Sequence, residues 1–293
     1  GVVAIITPWN FPIAIPAWKI APALICGNTL VFKPASATPL SAVKLMQVFH
    51  DAGLPAGVLN LITGPGGSVG NALVESPGVK MISVTGSTEI GTGIYTEGAR
   101  HLKKVQCEMG GKNAVILLAD ADMEKAMGGI VQGAFGSTGQ RCTATSRLIV
   151  EDSAYDHFMD ELIERTSKLK IGDGLDPSVD ISPLSSQAQF DTVMEYIGVG
   201  AEEGATLAYG GNAVTGGDYD QGYYVEPTIF TDVQPHMRIA QEEIFGPVLT
   251  VFKASGLEEA IEIANNVKFG LSSSVYTKDL TRAFQYINTV EAG

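Results

Sequence analysis

Gly1-Val-Val-Ala-Ile-Ile6-Thr7-Pro-Trp-Asn-Phe-Pro12 opens the chain. The first six residues are an unbroken apolar run rich in β-branched side chains, the pattern of a strand buried on both faces, as in a parallel sheet. Two prolines then force an irregular loop. Residues 15–25 read as a helix with Pro16 tolerated in its first turn, and Gly27-Asn28 stops it. The alternation continues outward. Strands are predicted at 29–33, 58–63, 80–84 and 105–108, and helices at 39–52, around 71–75, and from Ser87 through Ala99. This rhythm is that of an α/β fold with a mainly parallel sheet and helices on both faces.

The same rhythm resumes in the second half. Strands are predicted at 148–150, 223–230, 248–252 and 271–276, and helices at 153–170, 187–203, 257–265 and 281–287. In the 153–170 helix, Tyr155, Phe158, Leu162 and Leu169 are expected to face the core. Residues 209–222 are expected to form a glycine-rich surface excursion with solvated acidic side chains.

Composition narrows the function classes. The chain has 293 residues and a net charge of −13, which argues against nucleic acid or an anionic membrane as partner. The best apolar run, 13–30, is broken by Pro16, Lys19, Pro22, Gly27 and Asn28, so no membrane span is expected. Three cysteines, Cys26, Cys107 and Cys142, make no disulfide framework, which fits a cytoplasmic location. Cys26 and Cys107 read as buried packing. His50, His101, His157 and His236 are scattered with no cysteine–histidine spacing, so no metal site is expected. The chain starts without methionine inside a strand, and is read as a segment of a longer protein.

Ligands of parallel sheets gather at the carboxyl ends of the strands. Asn10, Lys33, the glycine-rich turn 64–70, and Gly86-Ser87 stand there. Asn10 is either a turn residue or an amide donor to an oxyanion. Lys33 is either solvated or a ligand of a cofactor hydroxyl or phosphate. The 64–70 turn is either an ordinary tight turn or a phosphate contact. Gly86-Ser87, opening a helix, is the better anion site. Glu108, before Gly110-Gly111, is either a salt-bridged or capping glutamate or a general base. Cys142, after Gly139-Gln-Arg141, is either a small hydrophobe or a nucleophile whose thiolate the Arg141 charge favours.

Six motifs occur in order: Thr7-Pro-Trp-Asn-Phe-Pro12, Lys33-Pro-Ala-Ser36, Thr85-Gly-Ser87, Glu108-Met-Gly-Gly-Lys-Asn113, Gly139-Gln-Arg-Cys142 and Glu242-Glu-Ile-Phe-Gly-Pro247. Together they resemble the aldehyde dehydrogenase superfamily across nearly the whole chain. The resemblance implies two α/β domains with mainly parallel twisted sheets and the active site between them. Residues 1–109 would be a Rossmann-like nucleotide-binding domain, and 110–293 a catalytic domain incomplete at its C-terminus.

The resemblance also implies site roles. Cys142 would be the nucleophile, Glu108 the base that activates water, and Asn10 with the Cys142 N–H the oxyanion hole. Trp9 would belong to the cofactor site. Lys33 would bind the adenosine ribose, Gly86 and Ser87 would lie by the pyrophosphate, Glu243 would hold the nicotinamide ribose, and Phe245 would pack near the nicotinamide. The implied reaction is oxidation of a small aldehyde to a carboxylic acid with NAD or NADP, in a homodimer or homotetramer.

Many NAD-preferring members carry glutamate where Ser36 stands. Serine removes the repulsion of a 2′-phosphate, so NADP is expected to be tolerated. The stretch around Cys142 together with Ser36 is most similar to dehydrogenases of 2,5-dioxopentanoate (2-oxoglutarate semialdehyde). No residue in the sequence defines a site for the second carboxylate of such a substrate; Arg141 and Arg147 are each either a partner for it or structural. The alternatives are a coenzyme A-acylating semialdehyde dehydrogenase and a non-catalytic binding protein of the same fold. The presence of Glu108 favours hydrolysis, and the presence of Cys142 favours catalysis.

Overall fold

β1 (Val2–Ile6) buries its last four residues and takes a parallel neighbour on each side. That double pairing is why the run is apolar without alternation. The computed structural model describes residues 1–293, which divide into two compact units, Gly1–Gly110 and Gly111–Gly293.

The first unit runs through α1 (Ala14–Ile25), β2 (Thr29–Lys33), α2 (Pro39–Asp51), β3 (Leu59–Leu61), α3 (Asn71–Glu75), β4 (Val79–Thr85), α4 (Thr88–Arg100) and β5 (Lys104–Glu108). Its sheet is parallel throughout, in the order β3-β2-β1-β4-β5. Val3, Ile5, Leu30 and Phe32 pack on one side with Ile20, Ala42 and Leu45 of α1 and α2. Ala4, Ile6, Val79 and Val84 pack on the other with Leu73 and Val74 of α3. Full burial of each Ile, Leu or Phe contributes roughly 1.5–3 kcal/mol, so β1 anchors both faces. The strand order reverses between β1 and β4, and the loops at their carboxyl ends lie at that switch point.

The second unit begins with β6 (Asn113–Leu117) and α5 (Met123–Phe135), two elements that the sequence reading does not predict. It continues through β7 (Thr145–Glu151), α6 (Asp152–Ser167), α7 (Gln187–Glu202), β8 (Thr206–Tyr209), β9 (Ala213–Val214), β10 (Tyr224–Val225), β11 (Thr228–Thr231), α8 (Arg238–Gln241), β12 (Val248–Ala254), α9 (Leu257–Asn265), β13 (Ser273–Tyr276) and α10 (Leu280–Thr289). The main sheet has the order β13-β6-β7-β12-β11-β8 and is parallel except for the β8–β11 edge pair. In β6, Ala114 and Ile116 face one core while Val115 and Leu117 face the other. This strict alternation between two apolar layers is what a doubly covered sheet requires.

Several expectations are corrected. The predicted strand 223–230 is two strands, because Pro227 cannot donate in a ladder. β10 pairs antiparallel with β9, and β11 joins the main sheet. The 209–222 excursion therefore contains β9 and a 3₁₀ turn at Gly217–Gln221, although Asp218 and Asp220 are exposed as expected. The helix predicted over 153–170 ends at Ser167, so Leu169 meets the core from the following segment. Cys26, expected to be buried, is exposed, and Cys107 is only partly buried. No helix is long and apolar enough to cross a membrane.

Candidate functional site

In the first unit the predicted residues share one sheet edge. Ile6, Lys33 and Val84 are register partners at the carboxyl ends of β1, β2 and β4, and Thr85 pairs with Glu108. Trp9 and Asn10 lie in the loop after β1, both partly buried. Lys33 is not the solvated lysine that a single Lys usually is: it is 4% exposed and its Nζ donates to the Pro34 carbonyl at 3.0 Å. Burial pushes its pKa down. The chain at Gly70 passes close by, since a Cβ there would stand 3.9 Å from Lys33 Cε. Ser36 is exposed and donates to the Gly64 carbonyl at 3.2 Å.

Ser87 caps α4, its Oγ accepting from Ile90 N at 3.3 Å. The N–H groups of the first turn and the helix dipole favour an anion at such an end. Glu108 is exposed, and its Oε1 accepts from Gln106 Nε2 at 2.8 Å. Lys19 of α1, which carries no role in the sequence reading, donates to Ser83 Oγ at 2.9 Å and to Gln106 Oε1 at 3.3 Å. Burial lowers its pKa, against the opposing charges of Glu108 and Cys107.

In the second unit the thiol follows a strained loop. Ser137 and Thr138 have φ of 54° and 56°, and Gly139 has φ of 67°. Left-handed backbone at consecutive non-glycine residues costs about 1–3 kcal/mol each and persists only where surroundings over-determine it. Those surroundings are visible. Thr138 Oγ1 donates to the Ser182 carbonyl at 2.8 Å, and Gln140 Oε1 accepts from Ser185 N at 3.0 Å. Gly139 packs so closely on Gly246 that a Cβ would stand 2.0 Å from the Gly246 oxygen. Cys142 itself is partly buried.

Glu243 and Phe245 lie in the facing segment. Phe245 is another left-handed residue, with φ of 57°, and Gln189 Nε2 donates to the Ile244 and Phe245 carbonyls at 3.0 Å each. Glu243 Oε1 accepts from Gly111 N at 3.0 Å. Burial raises the Glu243 pKa, opposed by that N–H and by Lys112. A small cavity is lined by Gly111, Asn113, Gly139, Arg141, Glu243 and Phe245 among others.

The two arginines offered for a substrate carboxylate are otherwise engaged. Arg147 is 3% exposed and donates to the carbonyls of Lys112, Ile263 and Ala264 at 2.8, 2.9 and 2.8 Å. It is a structural clamp, and that reading for it is withdrawn. Arg141 donates through NH2 to the carbonyls of Gln132 and Gly133. Burial lowers its pKa and the Cys142 charge raises it, so the guanidinium and the thiolate lie within electrostatic reach.

Lys112 and Asn113 carry no role in the sequence reading. Lys112 is fully buried, and no hydrogen-bond partner meets its Nζ. Its pKa is lowered to about 7 by burial first and by Arg147 second. Asn113 is 6% exposed and bonds the carbonyls of Cys142 and Ala144. A polar residue directly after Gly-Gly at the start of an apolar strand is the signal that marks both. No group of three or more His, Cys, Asp or Glu side chains gathers to hold a metal ion.

Known proteins are similar over the whole of this chain. The alpha-ketoglutaric semialdehyde dehydrogenase of Bacillus subtilis is 50% identical over 293 residues, covering 100% of this chain and 60% of that protein. The 2,5-dioxopentanoate dehydrogenase of Saccharolobus solfataricus is 46% identical over 295 residues, covering 100% of this chain and 61% of that protein. The solved structure of betaine aldehyde dehydrogenase from Staphylococcus aureus in complex with NAD+ matches with a TM-score of 0.97 and 39% identity, over 100% of this chain and 58% of that one. The chain thus spans about 60% of the length of the curated relatives it matches. The pattern of the aldehyde dehydrogenase family fits residues 1–293 from end to end, and the chain belongs to that family.

Proposed function

We propose that the protein oxidises an aldehyde to a carboxylic acid with NAD or NADP, with Cys142 as nucleophile, and that its substrate is 2,5-dioxopentanoate. One observation carries the reading most. Residues 111–113 bond both the Cys142 carbonyl and the Glu243 carboxylate, so a thiol and a partly buried acidic acceptor are held from one short segment.

The residues present fit a dinucleotide. In the first unit, buried Lys33, the close backbone at Gly70, and the capped α4 terminus at Gly86-Ser87 supply a cation, a cradle and an anion site. Trp9, at the carboxyl end of β1, adds an aromatic surface beside this edge. In the second unit, Glu243 offers acceptor oxygens to ribose hydroxyls and Phe245 an apolar face. A nicotinamide supplies the hydride acceptor when bound.

The chain's own residues do the rest. Cys142 Sγ, as thiolate beside the Arg141 charge, adds to the aldehyde carbonyl carbon. The Asn10 amide and the Cys142 N–H donate to the resulting oxyanion. After loss of hydride the substrate is a thioester on Sγ. Glu108, exposed at the end of β5, takes a proton from the attacking water; the acid is released and the thiolate returns. With serine at 36 no carboxylate repels a 2′-phosphate, so both nucleotides are accepted. Residues 1–109 act as the nucleotide-binding domain and 110–293 as the catalytic one. The protein works in the cytoplasm as a homodimer or homotetramer.

The test uses full-length protein. Nicotinamide reduction is followed with NAD+ and with NADP+ over 2,5-dioxopentanoate, succinate semialdehyde, lactaldehyde, betaine aldehyde and an aliphatic aldehyde, with and without coenzyme A. The expected result is free acid as product, with the highest kcat/KM for 2,5-dioxopentanoate. An acyl-coenzyme A product would assign the acylating reaction, and no reduction with any aldehyde would overturn the dehydrogenase reading.

A further inference from the structure

Three hydrogen bonds meet at one buried amide. Asn113 Nδ2 donates to the Cys142 carbonyl at 2.8 Å and to the Ala144 carbonyl at 2.9 Å. Its Oδ1 accepts from Ser272 N at 3.2 Å. The chemistry fixes which end is which, because two carbonyls demand donors and a backbone N–H demands an acceptor. Both amide hydrogens are thereby used.

These bonds sit at an irregularity of the sheet. The ladder between β6 and β7 shifts register at this point: Asn113 pairs with Thr145, but Ala114 pairs with Arg147. The carbonyls of Cys142 and Ala144 lie just before Thr145, on the loop side of that shift, and there the Asn113 side chain meets both. Gly111 closes the same corner, since a Cβ there would stand 2.8 Å from the Cys142 oxygen and 2.7 Å from Asn113 Oδ1.

We propose that Asn113 is the positioning residue of Cys142. By gripping the carbonyls on either side of Thr143, it fixes the peptide plane that follows Cys142 and hence the direction in which Sγ leaves the loop. The claim rests on the reading of Cys142 as nucleophile. An atom misplaced by about an ångström loses on the order of a hundredfold in rate, so a loosened 142–144 segment reports itself in the reactivity of the thiol. Asn113 touches no reacting atom and acts only through the backbone it holds.

Asn113→Asp keeps the shape, removes both donors and sets a carboxylate against two carbonyls. Asn113→Ser is shorter and retains one donor. Both are made in full-length protein beside wild type. The readouts are the second-order rate of Cys142 alkylation by iodoacetamide as a function of pH, kcat, the NADH dissociation constant and the thermal melt. In Asn113→Asp, alkylation and kcat are expected to fall about tenfold or more and the pH profile of alkylation to move. NADH affinity stays within about twofold, and Asn113→Ser falls between.

A folded Asn113→Asp or Asn113→Ser with the wild-type alkylation profile and kcat would overturn the proposal. So would an equal loss of NADH affinity, or failure of both variants to fold, since each would make Asn113 a residue of the fold at large. Alkylation of wild-type Cys142 that leaves turnover intact would instead sink the nucleophile assignment, while the variants' alkylation rates would still decide whether Asn113 positions the thiol.

Discussion

The strand-end edge of the first unit and the thiol loop of the second are built in opposite ways. Along the edge, Ser36, Ser87 and Glu108 are exposed and each makes one side-chain hydrogen bond within a few residues or to a neighbouring turn. Around Cys142, three successive left-handed residues, a glycine-to-glycine backbone contact and a buried asparagine determine the chain path several times over. A surface that binds a flexible, highly charged ligand can be open and polar. A nucleophile that must meet a carbonyl carbon within a narrow angle cannot, and strain held by redundant contacts is how such placement is kept.

Substitutions break or sharpen this contrast. The largest effect is expected from Gly139→Ala, which puts a Cβ 2.0 Å from the Gly246 oxygen at a φ of 67°. A loss of about 2–5 kcal/mol of stability is expected, read by thermal or urea unfolding. At the open edge, Ser36→Ala should change stability by less than about 0.5 kcal/mol.

Lys112→Met comes next and should stabilise by about 1–3 kcal/mol at neutral pH, because it replaces a buried amine that no partner meets. The sign of its pH dependence follows from a native pKa of about 7 against 10.5 unfolded. Between those values the unfolded chain binds more protons than the folded one, so wild-type stability rises with pH across that window. Lys112→Met lacks this rise, and its advantage shrinks from pH 7 toward pH 10. Urea titrations of both proteins at the two pH values check it; an advantage constant with pH would mean that Lys112 does not titrate there.

The smallest effect falls on the edge. Ser36→Glu restores a carboxylate beside the Gly64 turn and should move the NAD-to-NADP preference toward NAD by about tenfold, with no change in the melt. An unchanged cofactor ratio would mean that Ser36 does not set the preference.

Much of this was legible in the sequence, for identifiable reasons. The first unit could be read almost element by element, because β1 and β2 are apolar-rich runs closed by Pro8 and Pro34, and β4 is closed by Gly86. β6 and α5 lacked that punctuation. β6 follows Gly-Gly-Lys and opens on the polar Asn113, and α5 carries Gly128, Gly129 and Gly133, which weaken a helical pattern. The 223–230 run shows the converse error, in which hydrophobic content overrode the proline inside it.

At the site, residue identity gave the candidates but not their surroundings. Arg147 and Lys33 carry the same charge class in sequence, yet one is clamped by three carbonyls from two segments and the other is buried at a strand end with one carbonyl partner. The place of Asn113 after Gly-Gly-Lys marks it in the sequence, but its role was not legible, because that role lies at a register shift between two strands.

The central claim is that the constrained loop exists to present Cys142. The most direct measurement is turnover of 2,5-dioxopentanoate with NAD+ by full-length Cys142→Ala beside wild type, with NADH affinity and the melt recorded for both. The account predicts loss of at least about a thousandfold in kcat with nucleotide affinity and stability retained. A variant that keeps the wild-type rate would contradict it and leave the strained loop without the thiol as its purpose.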